Sequence, residues 1–95
     1  MNKFTSAWAA ITNEGNVKTG GDRTEGGDSS SVQSQLQNVK MISSTYYAFA
    51  ALLNDGRVVA WGDKNYGGKI PDDIQPQLQN VKTIIPNARQ FTAVC

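Results

Sequence analysis

Ninety-five residues suffice for one domain with a modest core. Nine basic and eight acidic residues leave a net charge of +1 without long runs of one sign, which argues against a nucleic-acid arm or an acidic-lipid patch. A single cysteine excludes an intramolecular disulfide, and the lack of histidine removes the commonest general base and the commonest metal ligand.

In chain order, Lys3 followed by FTSAWAAI faintly resembles a signal peptide. Its apolar part is short, holds Thr5 and Ser6, and aligns with positions repeated later in the chain, so a strand over residues 5–12 is expected there. Further strands are expected over 17–20, 39–44, 47–53, 57–61, 81–85 and 90–94. The segments Ser29–Gln37 and Asp72–Gln79 each have room for one helical turn, with N-caps from Ser29 to Ser31 and from Asp72 or Asp73. Neither is long enough to stand as a helix alone.

The fourth strand is apolar on both alternating faces. Phe49, Ala51 and Leu53 point one way; Ala48, Ala50 and Leu52 point the other. Such a strand is covered on both sides. The run Ala48 to Leu53 is also the longest without a polar side-chain atom, far below a membrane span. Asn54-Asp55-Gly56 then reads as a three-residue hairpin loop, with glycine at the position of positive φ. Val58 to Trp61 returns as a β-branched and aromatic strand, and Gly62, Gly67, Gly68 and Pro71 break the pattern.

The chain repeats itself. SAWAAITNEGNVKTGGDRTEGGD from Ser6 matches YAFAALLNDGRVVAWGDKNYGGK from Tyr47 at an offset of 41. QLQNVK recurs at Gln35 and Gln77, and RQFTAV from Arg89 matches YAFAAL from Tyr47, both at an offset of 42. The extra residue falls in the loop between Gly68 and Ile74, where an insertion costs little. The expected organisation is a single repeat domain over 1–95, with a degenerate unit over about 6–46, a full one over 47–88 and a partial one over 89–95. The first unit has Gly20-Gly21 where the second has Trp61-Gly62, and Thr24-Glu25 where the second has Asn65-Tyr66, so residues 17–31 are expected to be the looser part.

The order of Val39, Ile42, Ala51, Leu52, Asp55, Gly56, Val58, Trp61, Gly62, Asn65, Gly67 and Gly68 resembles a blade of the regulator-of-chromosome-condensation repeat family, closest to its short bacterial variants. The repeat here is shorter than the family's usual blade, and Ser44-Thr45 stands where members often carry glycine. The resemblance implies an all-β fold of antiparallel hairpin repeats like β-propeller blades, here two repeats plus a partial third. It also implies secreted or cell-surface relatives, and no compartment follows for this chain. Two blades cannot close a ring, so the expectation is a piece of a longer propeller, an assembly of copies, or a compact two-repeat domain.

Chemistry is sparse. Asp63 to Ile70 resembles part of a calcium loop, with Asp63 and Asn65 placed as ligands, but Gly67 and Ile74 stand where two further ligands belong. Gly20-Gly21 and Gly26-Gly27 lack the Lys-Ser/Thr pair of a phosphate cradle. Asp28, Asp55, Asp63, Asp72 and Asp73 show no spacing for paired carboxylate catalysis, and Ser29-Ser30-Ser31 lacks a base. Cys95 aligns with Leu53 and reads as a small core hydrophobe. Tyr46, Tyr47, Trp61, Tyr66 and Arg89 are residue types enriched at binding hot spots. The expectation is a non-enzymatic protein-binding or scaffold module, without cofactor or metal, that engages a protein partner or its own copies. Tyr66, Asp63, Asn65, Tyr46 and Arg89 are its candidate contacts. A metal-dependent or carbohydrate-binding domain built on the Asp63 loop is the alternative, and a remnant reading frame a further one.

Overall fold

Period-two alternation of apolar side chains decides where the strands fall. The computed structural model describes residues 7–26 and 28–94 and is all-β, with no α-helix among them. Its strands are β1 (Trp8–Ile11), β2 (Val17–Gly20), β3 (Val39–Ser44), β4 (Ala48–Leu53), β5 (Val58–Gly62), β6 (Thr83–Pro86) and β7 (Phe91–Val94). Each expected strand has its counterpart, with somewhat shifted ends. The signal-like N-terminus, the start of the strand at Thr5, Gly27 and Cys95 lie outside the described residues.

The strands form three antiparallel sheets, β1-β2, β3-β4-β5 and β6-β7. The turns that follow β1 and β4 are built alike. Gly56 N–H donates to Leu53 O at 3.0 Å and Leu53 N–H to Arg57 O at 2.9 Å, with Gly56 at φ +89°. Gly15 repeats the arrangement with Thr12 and Asn16. This is the three-residue loop whose last position favours glycine.

The sheets stack in a row, and β4 lies at the centre, buried along its whole length. Phe49, Ala51 and Leu53 enter one buried cluster with Val59, Trp61, Val17 and Leu36, between the first and second sheets. Ala50 and Leu52 enter another with Val58, Val81 and Ile84, between the second and third. The turn of each hairpin is pinned to the first strand of the next sheet. Val39 N–H donates to Gly15 O at 2.9 Å, and Val81 N–H donates to Gly56 O at 3.0 Å. At the second of these joints a Cβ on Gly56 would lie 2.8 Å from the Asn80 backbone, so only a glycine permits the approach.

The helical turns differ from expectation in two respects. The expected pair is present as 3-10 turns, Gln33–Gln35 and Gln75–Gln77, but their N-caps are Val32 and Ile74, without side-chain cap bonds. Ser29 instead turns inward, donating to Gln33 Oε1 at 2.8 Å, and is buried. Two more 3-10 turns, Arg23–Glu25 and Lys64–Tyr66, occupy the glycine-rich loops. Asp22 and Asp63 cap them by accepting from Thr24 N–H and Asn65 N–H, and Gly26 and Gly67 close them at positive φ.

The degenerate first unit has its own repair. Phe49 pairs across the strands with Trp61 in the second sheet, whereas Trp8 pairs with Gly20 in the first. The indole of Trp8 lies over Gly20, where a Cβ would come within 2.6 Å of the ring. One aromatic residue on the opposite strand thus covers the place that a phenylalanine–tryptophan stack fills in the second unit.

Candidate functional site

The joint between the second and third sheets gathers most of the aromatic side chains that the sequence offers for binding. Tyr46 and Tyr47 lie in the link between β3 and β4, Tyr66 ends the 3-10 turn after β5, and Arg89 lies in the turn between β6 and β7. The Tyr47 and Tyr66 rings meet edge to face at 4.6 Å, and Tyr46 meets Tyr47 edge to face at 6.4 Å. The Arg89 guanidinium carbon stands 5.8 Å from the centre of the Tyr66 ring, within cation–π range. All three tyrosines are half-buried, and Arg89 is exposed.

Backbone bonds hold this cluster in place. Thr45 is buried, and its hydroxyl donates to Tyr66 O at 2.6 Å, tying the turn after β5 to the entrance of β4. Asp63 N–H donates to Tyr47 O at 2.9 Å, and Tyr46 N–H donates across the joint to Ala88 O at 3.0 Å. Asn87 shapes the turn that carries Arg89, its side-chain oxygen accepting from Arg89 N–H at 2.8 Å and Gln90 N–H at 2.9 Å. Thr45 gives a local reason for one departure from the resembled blade: where glycine is common, this chain uses a hydroxyl to satisfy the half-buried Tyr66 carbonyl.

Of the five candidate contacts, Tyr46, Tyr66 and Arg89 are brought together. Asp63 and Asn65 sit on the same turn, but the Asp63 carboxylate is engaged as a cap on Asn65 N–H at 2.8 Å. Tyr47 is the residue that links the cluster. Its place at an offset of 42 from Arg89 was legible, but which rings would touch was not, because loop register is invisible in the sequence.

Other carboxylates are likewise occupied locally. Asp28 is held down to about 2 from an ordinary 3.8 by hydrogen bonds from Ser30, first its side chain and then its backbone N–H, and by Arg23 at 3.1 Å. The Arg57 backbone N–H, with its guanidinium at 2.8 Å, lowers Asp55. No group of three or more Asp, Glu or Cys side chains that could hold a metal ion forms among the described residues.

Residues 39–67 match the family model of the Regulator of chromosome condensation (RCC1) repeat. The matched stretch runs from the start of β3 to the glycine that closes the 3-10 turn after β5, one complete sheet of the three. No curated protein matches the chain. The chain thus carries a regulator-of-chromosome-condensation-like repeat in its second sheet, and the flanking sheets echo its sequence.

Proposed function

We propose that the chain is a non-enzymatic, protein-binding repeat module, a fragment or subunit of a larger propeller-like array. The supporting observation is the Tyr46–Tyr47–Tyr66–Arg89 cluster, half-exposed and held by backbone bonds at a sheet joint. Tyrosine presents large, stiff contact surface with a polar tip and arginine a planar charged fork, the chemistry of interface anchors. Repeat proteins of this family type commonly serve protein interaction, which agrees with the cluster, though a fold alone does not assign a function.

The reading is tested by selecting binders from a displayed peptide library with the chain as bait. Selected peptides are expected to bind the Tyr66→Ala and Arg89→Ala variants at least about tenfold more weakly, with both variants still folded at the assay temperature. Selected peptides that bind both variants as tightly as the parent chain would overturn it.

A further inference from the structure

The edges that β2 and β5 turn away from their partner strands are capped alike and finished differently. On β2, Gln33 Nε2 donates to Val17 O at 3.0 Å; on β5, its repeat counterpart Gln75 donates to Val58 O at 3.1 Å. In the first unit a run of side chains continues the cap. Buried Ser29 donates to Gln33 Oε1 at 2.8 Å and shares a hydrogen bond of 3.0 Å with the Thr19 hydroxyl. In the second unit the repeat puts Ala60 and Ile70 where Thr19 and Ser29 stand, and neither offers a hydroxyl. A groove of about 540 Å³ lies beside β5 instead. Ala60 is in its floor, with Val32 and Gln35 on one side and Lys69, Ile70 and Gln75 on the other.

The groove is lined for an extended backbone. Leu53 N–H donates to Arg57 O and Asp63 N–H to Tyr47 O, so Val59 and Trp61, on the same alternation, bond to β4. Val58 and Ala60 therefore direct their N–H and C=O groups to the other edge. Among the described residues β5 pairs with β4 alone. Half-buried Val32 packs on the cluster of the first joint, and half-buried Ile70 on that of the second, so the edge runs between apolar side chains on its two faces. Charge is added at the Gly62 end. Lys64 follows the strand there, and Lys69 follows Gly68, whose Cβ position lies 2.4 Å from Gly62 O. Both lysines are exposed and line the groove, against one carboxylate from Asp72. Among the described residues neither lysine forms an ion pair.

We infer that this groove takes one extended segment of a separate partner protein, β-branched along its length and carrying a carboxylate at the Gly62 end. The segment's backbone pairs with the Ala60 N–H and C=O groups and adds a strand to the second sheet. Its side chains alternate between Val32 on one face and Ile70 on the other, and its carboxylate meets Lys64 and Lys69. Floor and walls of the groove all lie within residues 31–75. None of Tyr46, Tyr47, Tyr66 and Arg89 lines it, so this inference and the tyrosine–arginine reading can each fail without the other.

The probe is the labelled synthetic peptide EVTVTVE, titrated into the chain at low salt and followed by fluorescence anisotropy. A glutamate at each end lets either strand direction bring one to the lysines. Saturable binding is expected, about fivefold tighter than that of the peptide QVTVTVQ. In the chain carrying both Lys64→Gln and Lys69→Gln, the two peptides should bind equally. Amide exchange on the unmodified chain gives an independent readout: the Ala60 N–H should exchange readily in dilute chain and become protected when peptide is added. No binding at millimolar peptide, equal binding of the two peptides to the unmodified chain, or no added protection at Ala60 would overturn the inference. So would Ala60 protection that grows with chain concentration without peptide, which would assign the edge to a second copy.

Discussion

Single side chains at the joints carry much of this fold. Trp61 is 2 % exposed and combines a ring stack with a hydrogen bond to a backbone carbonyl in the neighbouring sheet. Replacing it by alanine leaves both a cavity and an unpaired Gly26 carbonyl, and should cost about 3–5 kcal/mol by denaturant unfolding. Asp28 gives a residue-scale pH dependence. Its folded value of about 2 lies below its ordinary 3.8, so ionised Asp28 stabilises the fold. That contribution is complete above the ordinary value and disappears as pH falls through about 2. A carboxyl-carbon NMR titration should place its midpoint near 2, and Ser30→Ala should raise it, because the Ser30 side chain is the largest lowering influence. An unmoved midpoint in that variant would assign the effect elsewhere.

Turns and caps act at the scale of elements. Gly15 and Gly56 close identical turns, yet a Cβ would meet the Asn38 backbone at 3.4 Å in the first and the Asn80 backbone at 2.8 Å in the second. Alanine at either position adopts an unfavourable left-handed conformation at about 1–2 kcal/mol. Gly56→Ala should cost more than Gly15→Ala, because it also forces the hairpin turn away from the third sheet; equal melting shifts would show that the joint yields. Asp63→Ala removes a cap and should cost about 0.5–2 kcal/mol. Much at this scale was legible beforehand. The double-faced apolar run of β4 announced a strand covered on both sides, and Asn54-Asp55-Gly56 announced its turn. The capping roles of Asp22 and Asp63 were not legible, because an aspartate before a glycine-rich loop suits a cap and a ligand equally until the backbone is seen. The Trp8–Gly20 pair was also hidden: the tryptophan that compensates for Gly20 sits on the opposite strand, and only register brings the two together.

At the scale of the whole molecule, the stacked sheets leave apolar surface at both ends of the row. Trp8 is 40 % exposed on the first sheet, and Ile85 is 56 % exposed on the third. Surfaces of this kind favour association between unlike ends. The weight-average mass at sedimentation equilibrium should rise with concentration, and Ile85→Lys should lower that rise. A mass independent of concentration, or a rise unaffected by Ile85→Lys, would show that these ends do not drive association. The repeat period made the row of sheets foreseeable.

The contrasting surroundings of the two tryptophans give the chain a pair of optical reporters. Trp61, sealed between sheets, should emit at shorter wavelength and resist acrylamide quenching; Trp8, partly open to water, should emit further to the red and quench readily. As denaturant opens the first joint, the blue component shifts while the red one hardly moves. The ratio of the two intensities therefore meters the separation of neighbouring sheets in an unlabelled sample, even before the strands themselves come apart.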